Sequence, residues 1–267
     1  MKLFPDFHTL VSIGGFNIRY YAVCILLGAL FAYQLGRYRF KKLGYAPNIL
    51  SDYFFGVMVT GIIGARIWYV IFMWKELYAS HPEDIIAIWH GGLAIQGGLF
   101  TGLIYSVCYF KKHQIDFFVA GDAIMPGVLI AQACGRWGNF FNQEAFGGEV
   151  SLSFLKGLHL PSFIVDHMYI EGAYHHPTFL YESVGNVILF LLIILVVKRI
   201  SKKNGIQFFS YFVGYGIVRF FVEGMRTDSL MLGSLRMAQI ISLIFIVCGI
   251  AGILYIHFKR EDKQVDE

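Results

Sequence analysis

The sequence is short of charge. Asp, Glu, Lys and Arg make up only 15% of its 267 residues, against about a quarter in an ordinary soluble chain. With 57% hydrophobic residues and a mean hydropathy of +0.59, that shortage excludes a soluble module of any size. Strict period-2 alternation is missing, which excludes a transmembrane barrel. Walker and Rossmann patterns are missing too, so no nucleotide loop is expected. Cysteine is sparse. Cys24, Cys108, Cys134 and Cys248 each fall inside an apolar run without ligand-type spacing, and they read as small buried hydrophobes. His175, His176 and Glu171 lack metal spacing as well and read as loop residues. The net charge of +4 is no nucleic-acid signal, because the basic residues sit in short clusters between apolar runs. The N-terminus is polar, lacks a small-residue cleavage site and runs directly into the first apolar stretch, so no cleavable leader is expected.

What is present is apolar length. Runs at about 17–36, 51–73, 91–110, 117–134, 178–197, 207–225 and 237–257 approach or reach the roughly 20 residues that cross a bilayer as a helix. The expected fold is therefore an all-α integral membrane protein. It has seven transmembrane helices in a single polytopic domain over 1–267. Residues 140–177 are too polar and too broken by Gly and Pro to span, and read as a small extracytoplasmic cap. Lys and Arg collect in cytoplasmic loops. The loops after the first, third, fifth and seventh runs carry thirteen: Arg37, Arg39, Lys41, Lys42, Lys111, Lys112, Lys198, Arg199, Lys202, Lys203, Lys259, Arg260 and Lys263. The other side carries five: Lys2, Lys75, Lys156, Arg226 and Arg236. The N-terminus is expected outside and the C-terminus inside.

That orientation puts unusual residues at one depth. Arg19, Arg66, Arg136 and Arg219 lie within the runs or at their lips, and each would cost about 2.5–3.5 kcal/mol at the centre of a lipid-facing helix. They are expected to face protein or ligand. Arg19 and Tyr21 open the first run. Arg66 lies in the outer half of the second, and Gln96 near the outer start of the third. Arg136 ends the fourth, and Tyr181 and Glu182 begin the fifth. In the sixth, Tyr215, Arg219, Glu223 and Arg226 follow at helical spacing on one face. Two readings stand: an interhelical network that only holds the bundle together, or a ligand site. The forked donors of arginine suit phosphate, and a phosphate at this depth belongs most simply to a phospholipid. His90, beside Gly91 and Gly92, reads as an interface residue, and Asp122, four residues before Pro126, as one that caps or bridges helices. The glycines of GGLAIQGGLFTG read as allowing close helix packing.

Four stretches carry a family resemblance: GRWGNFFNQEAFG (135–147), HPTFLYE (176–182), GGLAIQGGL (91–99) and YGIVRFFVEGMR (215–226). In this order they closely resemble the motifs of bacterial prolipoprotein diacylglyceryl transferases, and Arg19-Tyr20-Tyr21 is similar too. The resemblance implies a transferase of the bacterial plasma membrane, multi-pass, with its active site facing the outer leaflet. Its partners would be phosphatidylglycerol and the lipobox segment of preprolipoproteins. The diacylglyceryl group would move to the lipobox cysteine thiol, forming a thioether and releasing glycerol phosphate, with no metal or organic cofactor. By matching positions, Arg136 holds the lipid phosphate. Asn139, Glu144 and Gly147 fall on motif residues, and Tyr21, Arg219 and Glu223 on positions important to the family.

Chemistry read from the residues agrees. A thiol with a pKa near 8.5 is a minority thiolate at neutral pH, and charge grows on phosphate oxygens as the ester leaves, where arginines help most. The expectation is that Arg136 anchors the phosphate and Arg219 stabilises the developing charge, with Glu144 and Glu223 orienting the arginines. Arg136, Arg219, Glu144 and Tyr21 are the catalytic candidates. Arg136, Asn139, Gly147, Gln96, Tyr215 and Glu223 are the substrate-binding candidates. The chain departs from the family at two places. Gln96 stands where many relatives have His, and an amide is no base near neutrality. His90, six residues from Gln96, lies about 240° around the helix and is no substitute. Gln143 stands where the family often has Gly. The alternative is a phospholipid-binding transporter or scaffold without chemistry. No repeated halves of the transporter kind are visible.

Overall fold

In the computed structural model, residues 2–259 are described. Met1 and residues 260–267, including Arg260 and Lys263, lie outside the described residues, as do the side chains of Lys2, Phe16, His90 and Lys259. The chain opens with strands β1 (Lys2–Leu3), β2 (Thr9–Ile13) and β3 (Phe16–Arg19). Helices α1 (Tyr20–Lys42), α2 (Pro47–Phe72), α3 (Ile95–Lys112) and α4 (Phe117–Asn142) follow. Short elements come next: β4 (Glu149–Val150), α5 (Leu152–Gly157), α6 (Ser162–His167), β5 (Tyr169–Ile170) and β6 (Ala173–His175). Helix α7 (Thr178–Leu192) continues through a π turn into α8 (Lys198–Ile200). The chain then forms α9 (Ile206–Met225), a hairpin of β7 (Met231–Leu232) and β8 (Leu235–Arg236), and α10 (Met237–Lys259).

Each of the seven expected runs is a long helix among the described residues. Five are long and apolar enough to cross a membrane: α1, α2, α4, α7 with its continuation to Ile200, and α10. Helices α3 and α9 are not among those five, and they carry Gln96, Thr101 and Ser106, and Gln207, Arg219 and Glu223. The protein is thus mostly helical and multi-pass.

Three features differ from the sequence expectation. The polar N-terminal lead forms an antiparallel sheet in the order β1-β2-β3. Gly14 (φ 56) and Gly15 (φ 86) close its hairpin, as a Gly-Gly pair between β-branched runs does. Helix α1 runs on through Arg37, Arg39, Lys41 and Lys42, so this basic cluster sits in its last turns rather than in a loop, where cations suit the helix C-terminus. Helix α4 does not stop at residue 134 but continues to Asn142. Gly138 is a close-approach glycine rather than a breaker, whereas a Cβ on Gly135 would meet nothing within 4 Å. A Cβ on Gly138 would lie 2.7 Å from Tyr21 Cδ2.

The described chain has two compact units, residues 1–35 with 121–267, and residues 36–120. In the first, glycines again set helix spacing. A Cβ on Gly28 would come 2.8 Å from Ala131 Cα, and one on Gly216 would come 2.8 Å from the Ser242 carbonyl. Asp122 bridges helices as expected: its carboxylate accepts from Gly205 N and Phe208 N, both at 2.7 Å, capping α9. Between α4 and α7 the chain builds a small ordered cap. Its sheet runs β4-β6-β5. Phe140, Leu155, Ile164, Val165, Met168 and Phe179 form its buried core, which ties α5 and α6 to the ends of α4 and α7. In the second unit, α2 packs on α3 through Gly61 and Gly98, with Thr101 Oγ1 donating to the Thr60 carbonyl at 3.0 Å. Gly97 and Gly98 of GGLAIQGGLFTG therefore serve helix packing, whereas Gly91 (φ 88) and Gly92 (φ 74) lie before α3 in the left-handed region.

Candidate active site

The site is built in the first unit where α4, α7 and α9 meet. Because α4 stays helical through Asn142, Arg136 and Asn139 stand at i and i+3 on one face, and Arg136 Nη1 donates to Asn139 Oδ1 at 3.0 Å. Asn139 Nδ2 donates in turn to Glu144 Oε1 at 2.7 Å, and Asn142 Nδ2 reaches the same oxygen at 3.3 Å. Glu144 comes back over the helix end because the chain turns there in a Schellman motif. Glu144 N donates to the Asn139 carbonyl at 3.1 Å and Gln143 N to the Phe140 carbonyl at 3.0 Å. Gln143 takes the left-handed position (φ 52). That is the position where the family's glycine would fit without strain.

The centre of the network is Glu182, in the second turn of α7 and 1% exposed. Its Oε1 lies 3.0 Å from Arg136 Nε, an ion pair whose N–H is not aimed at the oxygen. Its Oε2 accepts from Arg219 Nη1 at 2.9 Å. Arg219 Nη2 lies 2.7 Å from Glu223 Oε2 one turn further along α9. Arg226 Nε stands 4.0 Å from the same carboxylate and bonds Asp228 with both arms of its fork, at 2.9 and 2.8 Å. That fork holds the Asp228 carboxyl below the usual carboxylate range. Arg236 Nη1 donates to the Glu223 carbonyl. Tyr215 lies against Arg136, Arg219 and Glu182 and stacks on Tyr211 with ring centroids 5.7 Å apart. One chain of charge therefore runs from Glu144 through Asn139, Arg136, Glu182, Arg219 and Glu223 to Arg226 and Asp228. Buried charges persist when paired in this way.

A small crevice lies on this chain, lined by Arg136, Asn139, Ala145, Thr178, Glu182 and Arg226. The Arg136 fork and the Asn139 amide are donors of the kind that suit a phosphate, while the Arg226 fork is taken by Asp228 and the crevice is closed as it stands. Tyr21 packs on Gly138, half a turn from Arg136. Gly147 sits where three segments cross. Its N donates to the His176 carbonyl at 3.1 Å, its carbonyl meets His175 Nδ1 at 2.9 Å, and a Cβ there would lie 2.7 Å from His176 Cβ. His176 faces Tyr181 OH at 3.3 Å, and burial pushes its imidazole below the ordinary value.

The structure thus brings together Arg136, Asn139, Glu144, Tyr215, Arg219 and Glu223, with Tyr21 and Gly147 packed at the same ends of their elements. Gln96 belongs to the second unit, exposed in the first turn of α3. Arg66, also in the second unit, donates to the backbone carbonyls of Ile85, Gly91, Gly92, Asp84 and Ala87 and lies over the Tyr78 ring, 5.4 Å from its centroid. Two expectations change in detail. Glu144 contacts the amides of Asn139 and Asn142 rather than an arginine. The carboxylate that orients both Arg136 and Arg219 is Glu182, which sequence reasoning placed at this depth without giving it a role. A lone acid in the second turn of an otherwise apolar helix was the available signal.

A family model described as prolipoprotein diacylglyceryl transferase matches residues 8–255. The chain is 44% identical over 260 residues to a phosphatidylglycerol–prolipoprotein diacylglyceryl transferase of Staphylococcus haemolyticus (strain JCSC1435), covering 97% of this chain and 91% of that protein. It is 45% identical over 249 residues to the enzyme of the same name from Staphylococcus aureus (strain Newman), covering 93% and 88%.

Proposed function

The chain belongs to the prolipoprotein diacylglyceryl transferase family, and we propose from that premise that it carries the diacylglyceryl group of phosphatidylglycerol to the cysteine thiol of a preprolipoprotein, the first step of lipoprotein lipidation. It is a transferase of a bacterial cell membrane. A scaffold or transporter without chemistry would not carry that relatedness over nearly the whole chain. We assign it seven spans with the N-terminus outside, on the bias of Lys and Arg between loops. That orientation puts the Arg136–Glu182–Arg219 cluster and the cap on the outer side, where a lipobox segment emerges.

The reaction forms one bond and breaks one. The lipobox sulfur, as thiolate, attacks the glycerol carbon that carries the phosphate oxygen. The S–C bond forms, the C–O bond breaks, and the electron pair leaves on glycerol phosphate. Negative charge grows on the departing phosphate, so fixed cations beside it act most strongly in the transition state. Arg136, on the crevice wall, anchors the phosphate, with Asn139 as the neutral donor beside it. Arg219 stabilises the developing charge. Glu182 and Glu223 hold the arginines in place, Glu144 fixes Asn139, and Tyr215 and Tyr21 close the site from α9 and α1. Gly147 keeps the cap's backbone crossing tight. Gln96 is not the base, since an amide takes no proton near neutrality.

The observation that carries this reading is one buried carboxylate gripped by two arginines from two helices. Transfer of radiolabelled glycerolipid from phosphatidylglycerol to a lipobox peptide tests it. Arg136→Ala should lose on the order of 100-fold or more in rate, as removal of one transition-state donor does, while the protein stays folded by thermal melting. Full activity in Arg136→Ala would sink the assignment of the phosphate anchor.

A further inference from the structure

Beside the charged chain lies a second polar tier with no role in the scheme above. Helices α7 and α9 run antiparallel: a Cβ on Gly185 would meet Val218 at 2.9 Å, and one on Gly214 would meet Leu189 Cδ2 at 2.6 Å. Helix α4 runs in the same sense as α9, since Arg136 meets Tyr215 and Gln132 meets Tyr211. Gln132, one turn before Arg136, and Asn186, one turn after Glu182, therefore lie on the same side of the ion network, about 6 Å along the helix axes. Gln132 is held, its Nε2 donating to Tyr211 OH at 3.0 Å. Asn186 is not held. It is 0% exposed, and neither Nδ2 nor Oδ1 has a hydrogen-bond partner among the described residues. An orphaned amide in a protein interior calls for a reason.

Glu182 supplies one. Both its oxygens face arginines, and the geometry is poorest at Oε1, where the Arg136 N–H misses the oxygen. A phosphodiester that binds Arg136 and Arg219 competes for those same forks and sets a second anion near Glu182 in a low-dielectric site, where like charges repel strongly. Glu182 then needs another donor. Asn186 is at i+4 on the same face of α7, within hydrogen-bonding reach on a helix, and its amide N–H groups are free.

We propose that Asn186 is a positioning residue that takes up Glu182 by a hydrogen bond from Nδ2 when Arg136 and Arg219 turn to the phosphodiester of the donor lipid. The inference rests on the transfer reading above. It makes Glu182 a placeholder for the phosphate, released in a controlled way, and Asn186 the group that receives it.

The test is the thermal shift of the purified full chain in detergent with and without phosphatidylglycerol, beside the transfer assay. Asn186→Leu removes an unpaired buried amide, so without lipid it should melt at or above wild type. Its affinity for phosphatidylglycerol should fall about tenfold or more, the worth of one hydrogen bond to a charged group, and transfer should fall through KM more than kcat. Wild-type affinity in Asn186→Leu would overturn the proposal. If Asn186→Leu melts low, Asn186→Val decides. It also deletes the donor and puts less bulk in the buried site, so weakened lipid binding supports the proposal and unchanged binding overturns it. A wild-type protein that neither binds nor uses phosphatidylglycerol would instead remove the transfer reading beneath it.

Discussion

The chain buries arginine in two ways. In the second unit Arg66, 8% exposed, directs its fork at five carbonyls of residues 84–92, with distances from 2.6 to 3.4 Å. An arginine has five N–H donors, and here backbone takes all of them. In the first unit Arg136 and Arg219 bind side chains: Asn139, Glu182 and Glu223. The partners decide what each arginine can do. Carbonyls of a loop cannot turn away without unfolding the loop, so Arg66 is a staple for the stretch between α2 and α3. Carboxylates and amides on rotatable stems can exchange partners, so Arg136 and Arg219 can accept a phosphate without loss of fold. The three arginines looked alike in the sequence, as cations within apolar runs or at their lips. Only their partners separate a structural role from a chemical one.

The sharpest way to break this contrast is to remove the shared partner. Glu182→Gln leaves two buried guanidiniums facing one neutral amide, and loss of one member of a buried ion pair costs about 3–5 kcal/mol. A large drop in melting temperature and loss of transfer are expected together, because the same carboxylate supports fold and site. A stable, active Glu182→Gln would mean that Glu223 and Asp228 alone neutralise the cluster. Next in size is Arg66→Met, which keeps the apolar stem and deletes the fork. The loop carbonyls lose their donors, so a loss of about 2–3 kcal/mol is expected. Its signature is the reverse of that for Arg136→Ala: lower melting temperature, but near-normal transfer per folded molecule. Normal stability with transfer abolished in Arg66→Met would place Arg66 with the chemistry and end the comparison.

Much of this could be read from the chain because lipid-depth helices obey simple rules. Seven apolar runs became seven long helices, and Asp122, a buried acid in one of them, became the cap of another. Arg136, Asn139, Arg219 and Glu223 could be grouped because helical spacing and motif order fix their ends. What escaped depended on contacts between helices. Glu182 looked like one acid among several until α4 and α9 each brought it an arginine. The fourth run reads as ending at 134, because a sequence does not show that Tyr21 fills the space a side chain on Gly138 would need, nor that the helix runs on to Asn142. The N-terminal hairpin was legible in Gly14-Gly15 between two β-branched runs, but it was outweighed by the hydropathy of everything after it.

Gln143 offers the smallest and cleanest sharpening, because it touches the helix end from which Arg136 and Asn139 project. Its backbone is left-handed (φ 52), a conformation that costs an L-residue roughly 1–2 kcal/mol and costs glycine little. Gln143→Gly would relieve that strain. Against it stand the extra freedom glycine gives the unfolded chain, about 0.4–1 kcal/mol, and the bond from Gln143 Nε2 to the His167 carbonyl at 3.2 Å. The net expectation is a gain of about 0.5 kcal/mol, read as a small rise in melting temperature with transfer unchanged. If Gln143→Gly instead lowers stability, the His167 bond outweighs the strain, and the cap is held to α4 more by that side chain than by the turn. If stability rises but transfer falls, Gln143 fixes the angle at which Glu144 reaches Asn139. The exchangeable partners of Arg136 would then extend one residue beyond the helix.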